Sequence, residues 1–248
     1  MGVKAPRQRI DKLLVERGLA PSRERAQALL LAGRVSVAGQ RVDKAGTLVP
    51  EDAVISVQED PCPYVSRGGL KLAGVLGPLG IDPSGRVCLD LGASTGGFTD
   101  VLLQRGALRV WAVDVGHHQL HEKLRADPRV HSREGVNARL GLREVVTERV
   151  SLVVIDVSFI GLAKVLPAVV EVLDEGATVV AMVKPQFELG PELVRGGVVR
   201  DDALRLRAVD AVVQAASALG LTESGRADSP VHGPSGNREV FVRLDRRR

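Results

Sequence analysis

A glycine-rich stretch in the middle of the chain, "CLDLGASTGGFTDVLL", has the composition of a ligand-binding turn. Its first half is an apolar run typical of a buried strand, and its second half indicates the start of an amphipathic helix. The glycines Gly92, Gly96 and Gly97 follow the spacing D-x-G-x-x-x-G-G. This spacing matches neither the dinucleotide pattern G-x-G-x-x-G nor the G-K-[ST] of a phosphate-binding loop. The turn therefore favours a ligand that presents no phosphate to it.

S-adenosylmethionine is an adenosyl ligand that meets this requirement. Its carboxylate would face the amino end of the helix that begins at Gly97 and Phe98. Asp114 lies 24 residues after Asp90, at the end of the apolar run "RVWAV", and is predicted to accept hydrogen bonds from the ribose hydroxyls. A tight turn without a ligand is the alternative for the loop, and a surface loop is the alternative for Glu134 and Asn137 beside the adenine. The predicted cofactor-binding residues are Asp90, Gly92, Ala93, Ser94, Gly96, Gly97, Phe98, Asp114, Glu134 and Asn137.

Four apolar runs indicate the sheet that must carry this turn. They lie at 87–91, 110–113, 152–155 and 179–183 and alternate with helix-like segments, the first of them predicted at 69–79. This alternation is typical of an α/β, Rossmann-like, doubly wound sheet, in which ligands bind beyond the carboxyl ends of the strands. The order of the strands does not follow from the runs.

Positive charge is concentrated at the front of the chain. Residues 1–46 hold ten Lys and Arg against four Asp and Glu, although the net charge of all 248 residues is only +4. A local basic surface is typical of a nucleic-acid-binding module. A solvated, arginine-rich helix face is the alternative that charge alone leaves open.

The front segment also has a recognisable order of elements. "RIDKLLVERGLA" predicts a short helix, Ser22 is placed to cap a second helix that ends at Gly33, and "RVSVAGQRV" predicts a hairpin around Ala38 and Gly39. With the strand "DAVISV", this small α+β module resembles the S-four-like RNA-binding domain of ribosomal proteins. Because aromatic residues make up only 2% of the chain, we expect it to read RNA by backbone and shape and not by base stacking. The resemblance implies phosphate contacts at Arg7, Arg9, Lys12, Arg23, Arg25, Arg34 and Arg41. For each of these residues, plain surface charge is the alternative.

Prolines and glycines in "EDPCPYVSRGG" indicate a boundary between two domains. We place an S-four-like domain at 1–60, a linker at 61–68 and a catalytic domain at 69–248.

Five stretches together resemble the TlyA family of ribosomal RNA 2′-O-methyltransferases, some of which have also been described as haemolysins. They are "YVSRGGLKL", "CLDLGASTGGFTDVLL", "VVIDVSFI", "VKPQFE" and "GPSGNREVF". The resemblance implies an FtsJ-like, class I S-adenosylmethionine-dependent methyltransferase domain that modifies cytidine in 16S or 23S ribosomal RNA, or both, within ribosomal subunits. The linker departs from the family, since "PCPY" stands where relatives often carry an arginine-aromatic element.

Related FtsJ-like enzymes line their site with a Lys-Asp-Lys-Glu tetrad, which the resemblance places at Lys71, Asp156, Lys184 and Glu239. Asp156 and Lys184 end consecutive predicted strands, and Glu239 reaches the same edge if the last strand runs antiparallel. Methyl transfer requires a ribose hydroxyl that is aligned and loses its proton. We expect Lys184 to be the base, Asp156 and Glu239 to orient it, and Lys71 to hold the substrate.

Two phenylalanines follow members of this tetrad closely. Phe159 and Phe187 are placed to stack on an extruded target base, and packing in the core beside the sheet edge is the alternative.

Other classes of protein are less compatible with the sequence. There is no signal-peptide pattern and no apolar run long enough to span a membrane, so we expect a cytoplasmic protein. Neither the spacing of Cys62 and Cys88 nor the histidines after Asp114 suggests a metal site. Two alternatives remain: a non-catalytic RNA-binding or ribosome-assembly factor, which would not need the tetrad, and a membrane-active haemolysin.

Overall fold

The computed structural model of the protein describes residues 6–58, 62–194, 196–233 and 236–247. The chain divides into two compact units, Met1–Pro61 and Cys62–Arg248. Some positions used in the sequence predictions lie outside the described residues: 1–5 and 59–60 in the predicted first domain, 61 in the predicted linker, and 195, 234–235 and 248 in the predicted catalytic domain.

In its described part, residues 6–58, the first unit contains two helices and five three-residue strands. Strands β1 and β4 form an antiparallel pair, and β2 lies between β3 and β5 in a second antiparallel sheet. The elements are β1 (Arg7–Arg9), α1 (Ile10–Glu16), α2 (Arg23–Leu31), β2 (Val35–Val37), β3 (Gln40–Val42), β4 (Leu48–Pro50) and β5 (Ile55–Val57).

Local signals in the sequence explain most of this unit. The Ser22 side chain accepts a hydrogen bond from the Arg25 amide at 3.2 Å and so caps α2, as predicted. Ala38 and Gly39 both have positive φ, which suits the tight turn between β2 and β3. The predicted hairpin is thereby confirmed, whereas the pair β1 and β4 was not predicted.

The second unit is built on a seven-stranded sheet in the order β11-β12-β10-β9-β6-β7-β8. The five strands from β10 to β8 are parallel, and β12 runs antiparallel to β10 and β11. The predicted α/β class is confirmed. The elements are α3 (Gly68–Leu76), β6 (Val87–Leu91), α4 (Gly97–Gln104), β7 (Arg109–Val113), α5 (Glu122–Arg125), β8 (Val130–Arg133), β9 (Val150–Ile155), α6 (Leu166–Val172), β10 (Leu173–Val183), α7 (Pro185–Glu188), α8 (Asp202–Ala218), β11 (Leu221–Asp228) and β12 (Val240–Arg246).

Both faces of this sheet are covered by helices, as strands with continuous apolar sequences require. Along β9, Leu152 and Val154 belong to a core cluster that includes residues of α3 and α4. Their neighbours Val153 and Ile155 belong to a second cluster with residues of α6 and α8. The strand order reverses between β6 and β9, and a crevice is expected at their carboxyl ends.

The segment before α3 is fixed to the helix that follows β6. The Val65 amide donates to Asp100 of α4 at 2.8 Å, and the Gln104 side chain donates to the Pro63 carbonyl at 3.1 Å. The described part of the predicted linker, 62–68, is therefore part of the second unit and rests against α4.

Candidate active site

The carboxyl ends of four neighbouring strands surround a cleft of about 490 Å³. This volume falls in the usual range for small-molecule sites. Residues at or beyond the ends of β6, β7, β8 and β9 contribute to its wall, among them Leu91, Gly92, Ser94, Asp114, Gln119, Asn137, Arg139, Asp156, Ser158 and Phe159.

The turn after β6 can adopt its shape only because of its glycines. Gly92 has φ +87°, and a Cβ at this position would lie 2.4 Å from the carbonyl oxygen of Asp156. Gly96 has φ +94° and precedes the first residue of α4. The turn therefore passes directly beside the Asp156 backbone at the end of β9, and Gly97 at the amino end of α4 packs closely against Ser66 and Gly69.

Asp114 is held at the rim of this turn by backbone amides. One carboxylate oxygen accepts from the Ser94 amide at 2.8 Å, and the other accepts from the Gly116 amide at 2.6 Å. A carboxylate has about four acceptor sites, so two hydroxyl groups can still bind to it. The structure thus places Asp114 in the cleft wall, where the predicted ribose contact requires it.

Four of the ten predicted cofactor residues line the cleft: Gly92, Ser94, Asp114 and Asn137. Phe98 is instead buried, with its ring 6.0 Å from that of Phe241. Glu134 accepts hydrogen bonds from the amides of residues 118–120, so it shapes the loop that carries Gln119. Ala93, Gly96 and Gly97 build the turn without lining the cleft.

Asp90 is fully buried beneath the turn and does not line the cleft. One of its carboxylate oxygens accepts from the amide and the hydroxyl of Thr99 at 2.8 and 2.7 Å. The other oxygen meets no hydrogen-bond donor in the described part of the chain. Burial raises the pKa of Asp90 to about 7, against the effect of the Thr99 hydrogen bonds. The predicted contact between the Asp90 side chain and the cofactor is therefore corrected. Asp90 instead fixes the first turn of α4 to the end of β6.

The four residues of the predicted tetrad form two ion pairs. Lys184 Nζ lies 2.5 Å from Asp156 Oδ1, and Lys71 Nζ lies 2.5 Å from Glu239 Oε2. The antiparallel course of β12 pairs Val240 with Val183, so Glu239 reaches the same edge as Lys184. The prediction that Glu239 orients Lys184 is corrected, because its ion pair is with Lys71.

Sequence reasoning missed Ser158, which lies two residues after Asp156. Its hydroxyl oxygen is 2.7 Å from Lys184 Nζ, and the residue lines the cleft. The "DVSF" stretch after β9 contained this signal, since a residue two positions from a strand-end aspartate stays near the same edge.

Phe159 projects from the protein beside the cleft. It is 90% exposed, and its φ of +64° is unusual for a large side chain. Its ring lies 5.1 Å from that of the half-buried Phe187. Core packing, one of the two alternatives for this residue, is therefore excluded.

Some predicted RNA-binding arginines also stabilise the first unit. Asp11 is fully buried and accepts hydrogen bonds from Arg9 at 3.0 Å and from Arg23 at 2.9 Å. These arginines lower the pKa of Asp11 far below its usual value. Both remain close to half exposed, and Arg7, Lys12, Arg25 and Arg41 are exposed while Arg34 is half-buried.

The described residues offer neither a metal-binding cluster nor a membrane-spanning helix. Within them, no group of three or more His, Cys, Asp and Glu side chains is arranged to hold a metal ion. No helix in the same part of the chain combines the length and apolarity needed to cross a bilayer.

Comparisons with known proteins agree with this architecture. The FtsJ-like methyltransferase family matches residues 64–246, and the S4 domain matches residues 8–55. A 16S/23S rRNA (cytidine-2'-O)-methyltransferase, TlyA of Mycobacterium tuberculosis, is 50% identical over 242 residues, which cover 97% of this chain and 90% of the relative.

Solved structures give the same result. A protein of Streptococcus thermophilus with a provisional hemolysin name has a TM-score of 0.76 at 40% identity, covering 98% of this chain and 89% of that one. The N-methyltransferase NodS of Bradyrhizobium japonicum shares the fold alone, with a TM-score of 0.52 at 16% identity over 75% of this chain and 89% of its own. The chain therefore belongs to the TlyA family of FtsJ-like methyltransferases, with a class I methyltransferase fold preceded by an S4 domain.

Proposed function

We propose that this protein transfers a methyl group from S-adenosylmethionine to the 2′-hydroxyl of a cytidine in ribosomal RNA, acting on ribosomal subunits in the cytoplasm. The observation that carries the proposal is the Lys184–Asp156 ion pair at the wall of the cleft, next to the glycine turn. A 50% identical relative is named a 16S/23S rRNA (cytidine-2'-O)-methyltransferase, which supports the choice of substrate.

The cleft residues fit the proposed cofactor, which would supply an electrophilic methyl group on a sulfonium. Asp114 is fixed by two amides in a position to accept the ribose hydroxyls, and Asn137, another residue of the cleft wall, would lie beside the adenine. Gly92 also lines the cleft, and a side chain there would collide with the Asp156 backbone. These three residues would orient the bound cofactor.

Lys184 is the proposed base for the ribose hydroxyl. Its side chain is only 9% exposed, and its amine lies within reach of Asp156 and Ser158, both of which line the cleft. The amine must be uncharged when it accepts the proton, and Asp156 then stabilises the resulting ammonium. A positioned acid-base group of this kind typically contributes about 10²- to 10⁴-fold to the rate.

The second ion pair is proposed to hold the substrate side of the site. Lys71 is 12% exposed and is fixed by Glu239, which is 2% exposed. A lysine held in this way presents a fixed positive charge, suited to a ribose hydroxyl or a neighbouring phosphate.

RNA recognition is proposed to combine the basic S4 domain with a single aromatic contact. Phe159 offers an exposed ring beside the cleft, and Phe187 supports it from behind. A ring in this position fits a target base that has left its stack. Such stacking contributes about 1 to 3 kcal/mol per base.

Transfer of tritium from labelled S-adenosylmethionine into ribosomal subunits tests the proposal. We expect label in ribosomal RNA, resistant to alkaline cleavage at one or two mapped cytidines. Lys184→Ala serves as the matched inactive control, because it removes the base and leaves Asp114 and the turn in place. Tight binding of cofactor and subunits without any transfer by the unmodified protein would instead favour a non-catalytic assembly factor.

A further inference from the structure

The amine of Lys184 contacts two residues of the cleft wall. Asp156 and Ser158 line the cleft, whereas Lys184, with 9% of its side chain exposed, contacts both of them and is not itself a wall residue. Whatever holds the amine in place therefore acts at the cleft wall.

The two neighbours contact the amine in different ways. Ser158 Oγ is at hydrogen-bond distance and angle from Nζ, at 2.7 Å. Asp156 Oδ1 is closer, at 2.5 Å, but it lacks the angles of a hydrogen bond and has no hydrogen-bond partner in the described part of the chain. Asp156 thus attracts the lysine mainly by its charge, whereas Ser158 fixes the direction in which the amine points.

The loop that carries Ser158 is anchored at both ends. The Asp156 amide donates to the Leu91 carbonyl at 2.9 Å, and the Leu162 amide donates to Glu188 of α7 at 2.9 Å. Between these anchors Phe159 has φ +64°, so Ser158 contacts Lys184 while the following ring points outward. An unusual conformation that is kept at a site of chemistry is commonly part of its mechanism.

A base changes charge during turnover, and its two neighbours respond differently. Asp156 acts through its charge, so it holds the lysine well as an ammonium and weakly as an uncharged amine. A hydroxyl oxygen accepts from an N–H of the ammonium and of the amine alike, and by accepting it leaves the lone pair of the amine free for the ribose proton. Ser158 can therefore hold Lys184 in both protonation states.

We infer that Ser158 is a positioning residue that keeps the uncharged Lys184 amine directed at the cleft, where the proposed proton transfer takes place. This inference rests on the proposed function. The serine then holds the lysine while it has no charge, because Ser158 Oγ has the hydrogen-bond geometry to the amine that Asp156 Oδ1 lacks.

Single-turnover methyl transfer to ribosomal subunits by the full-length protein tests this role. Ser158→Ala should lower the transfer rate by about 10- to 100-fold, the effect of losing one hydrogen bond to an ionisable group. The dissociation constants for S-adenosylmethionine and for subunits, from calorimetry and filter binding, should change less than about twofold. Ser158→Thr keeps the hydroxyl and should restore most of the rate, and Ser217→Ala, at an exposed position on α8, controls for the substitution type.

Two results would overturn the inference. One is a Ser158→Ala rate equal to that of the unmodified protein. Another is an equal loss in the alanine and threonine variants together with weakened cofactor binding, which would indicate a structural role. In both cases transfer by the unmodified protein leaves the proposed function intact, whereas absence of transfer by the unmodified protein removes both.

Discussion

Gly92→Ala should destabilise the second unit by an amount that the structure allows to be worked out. An alanine at φ +87° pays about 1 to 2 kcal/mol for a left-handed conformation. Its Cβ would also lie 2.4 Å from the Asp156 oxygen and 2.8 Å from the Asp156 carbonyl carbon. Because these are backbone atoms that cannot rotate away, overpacking adds about 1 to 3 kcal/mol. The expected loss is therefore about 2 to 5 kcal/mol.

Gly85→Ala is the matched control. Gly85 also has positive φ, at +68°, but a Cβ there would meet nothing within 4 Å. This variant should lose only the conformational part, about 1 to 2 kcal/mol. The reduced entropy of the unfolded chain is common to both variants and cancels in the comparison.

Urea unfolding of both variants, monitored by circular dichroism, measures the difference. We expect Gly92→Ala to unfold at a clearly lower urea concentration than Gly85→Ala, with a similar dependence on urea. It should also bind S-adenosylmethionine more weakly, since the turn and Asp156 must move apart. Equal stability of the two variants would contradict the close contact between Gly92 and the Asp156 backbone.

Three further predictions concern single side chains of the site. Asp114→Ala should weaken S-adenosylmethionine binding by about 1.5 to 3 kcal/mol in calorimetry, through loss of a charged hydrogen-bond partner, and unchanged affinity would remove Asp114 from the cofactor site. Asp90→Asn should change how stability depends on pH, because the pKa of Asp90 is raised from 3.8 to about 7. The folded state then binds a proton on Asp90 more tightly than the unfolded state does. The stabilisation that this proton gives the fold is complete below about pH 4 and is lost as the pH rises toward 7. The asparagine variant should gain stability relative to the unmodified protein across this range, by up to about 4 kcal/mol, and a constant difference between pH 4 and 8 would contradict the assignment. Phe159→Ala should weaken productive RNA binding by about 1 to 3 kcal/mol in the KM for subunits, with cofactor affinity and thermal stability unchanged because the ring is 90% exposed; a loss of stability instead would indicate a structural ring.

The sequence was most informative where a local rule determines the conformation. The glycine turn, the cap at Ser22 and the hairpin at Ala38 each follow from residue types whose backbone preferences are strong. Asp156 and Lys184 could be placed at strand ends because continuous apolar runs stop immediately before them. Parallel topology then brings both residues to one edge.

Features that depend on distant contacts were not accessible from the sequence. The pairing of Lys71 with Glu239 joins residues 168 positions apart, and side-chain pairing of this kind is decided by packing. The strands β1 and β4 are too short, at three residues each, to show an alternating pattern. The exposure of Phe159 depends on a positive φ that no residue type in "DVSFI" indicates.

The central claim, that Lys184 is the base, is tested most directly by single-turnover methyl transfer with Lys184→Arg on intact ribosomal subunits at saturating S-adenosylmethionine. Arginine keeps the positive charge but does not give up its proton at any working pH. We expect a rate about 10²- to 10⁴-fold lower, as for Lys184→Ala, with cofactor affinity retained. Lys71→Arg is the matched control and should keep much of the activity, because the proposed role of Lys71 requires only charge beside Glu239. A Lys184→Arg protein that transfers methyl groups at nearly the unmodified rate would contradict the account and leave alignment of the hydroxyl by charge in its place.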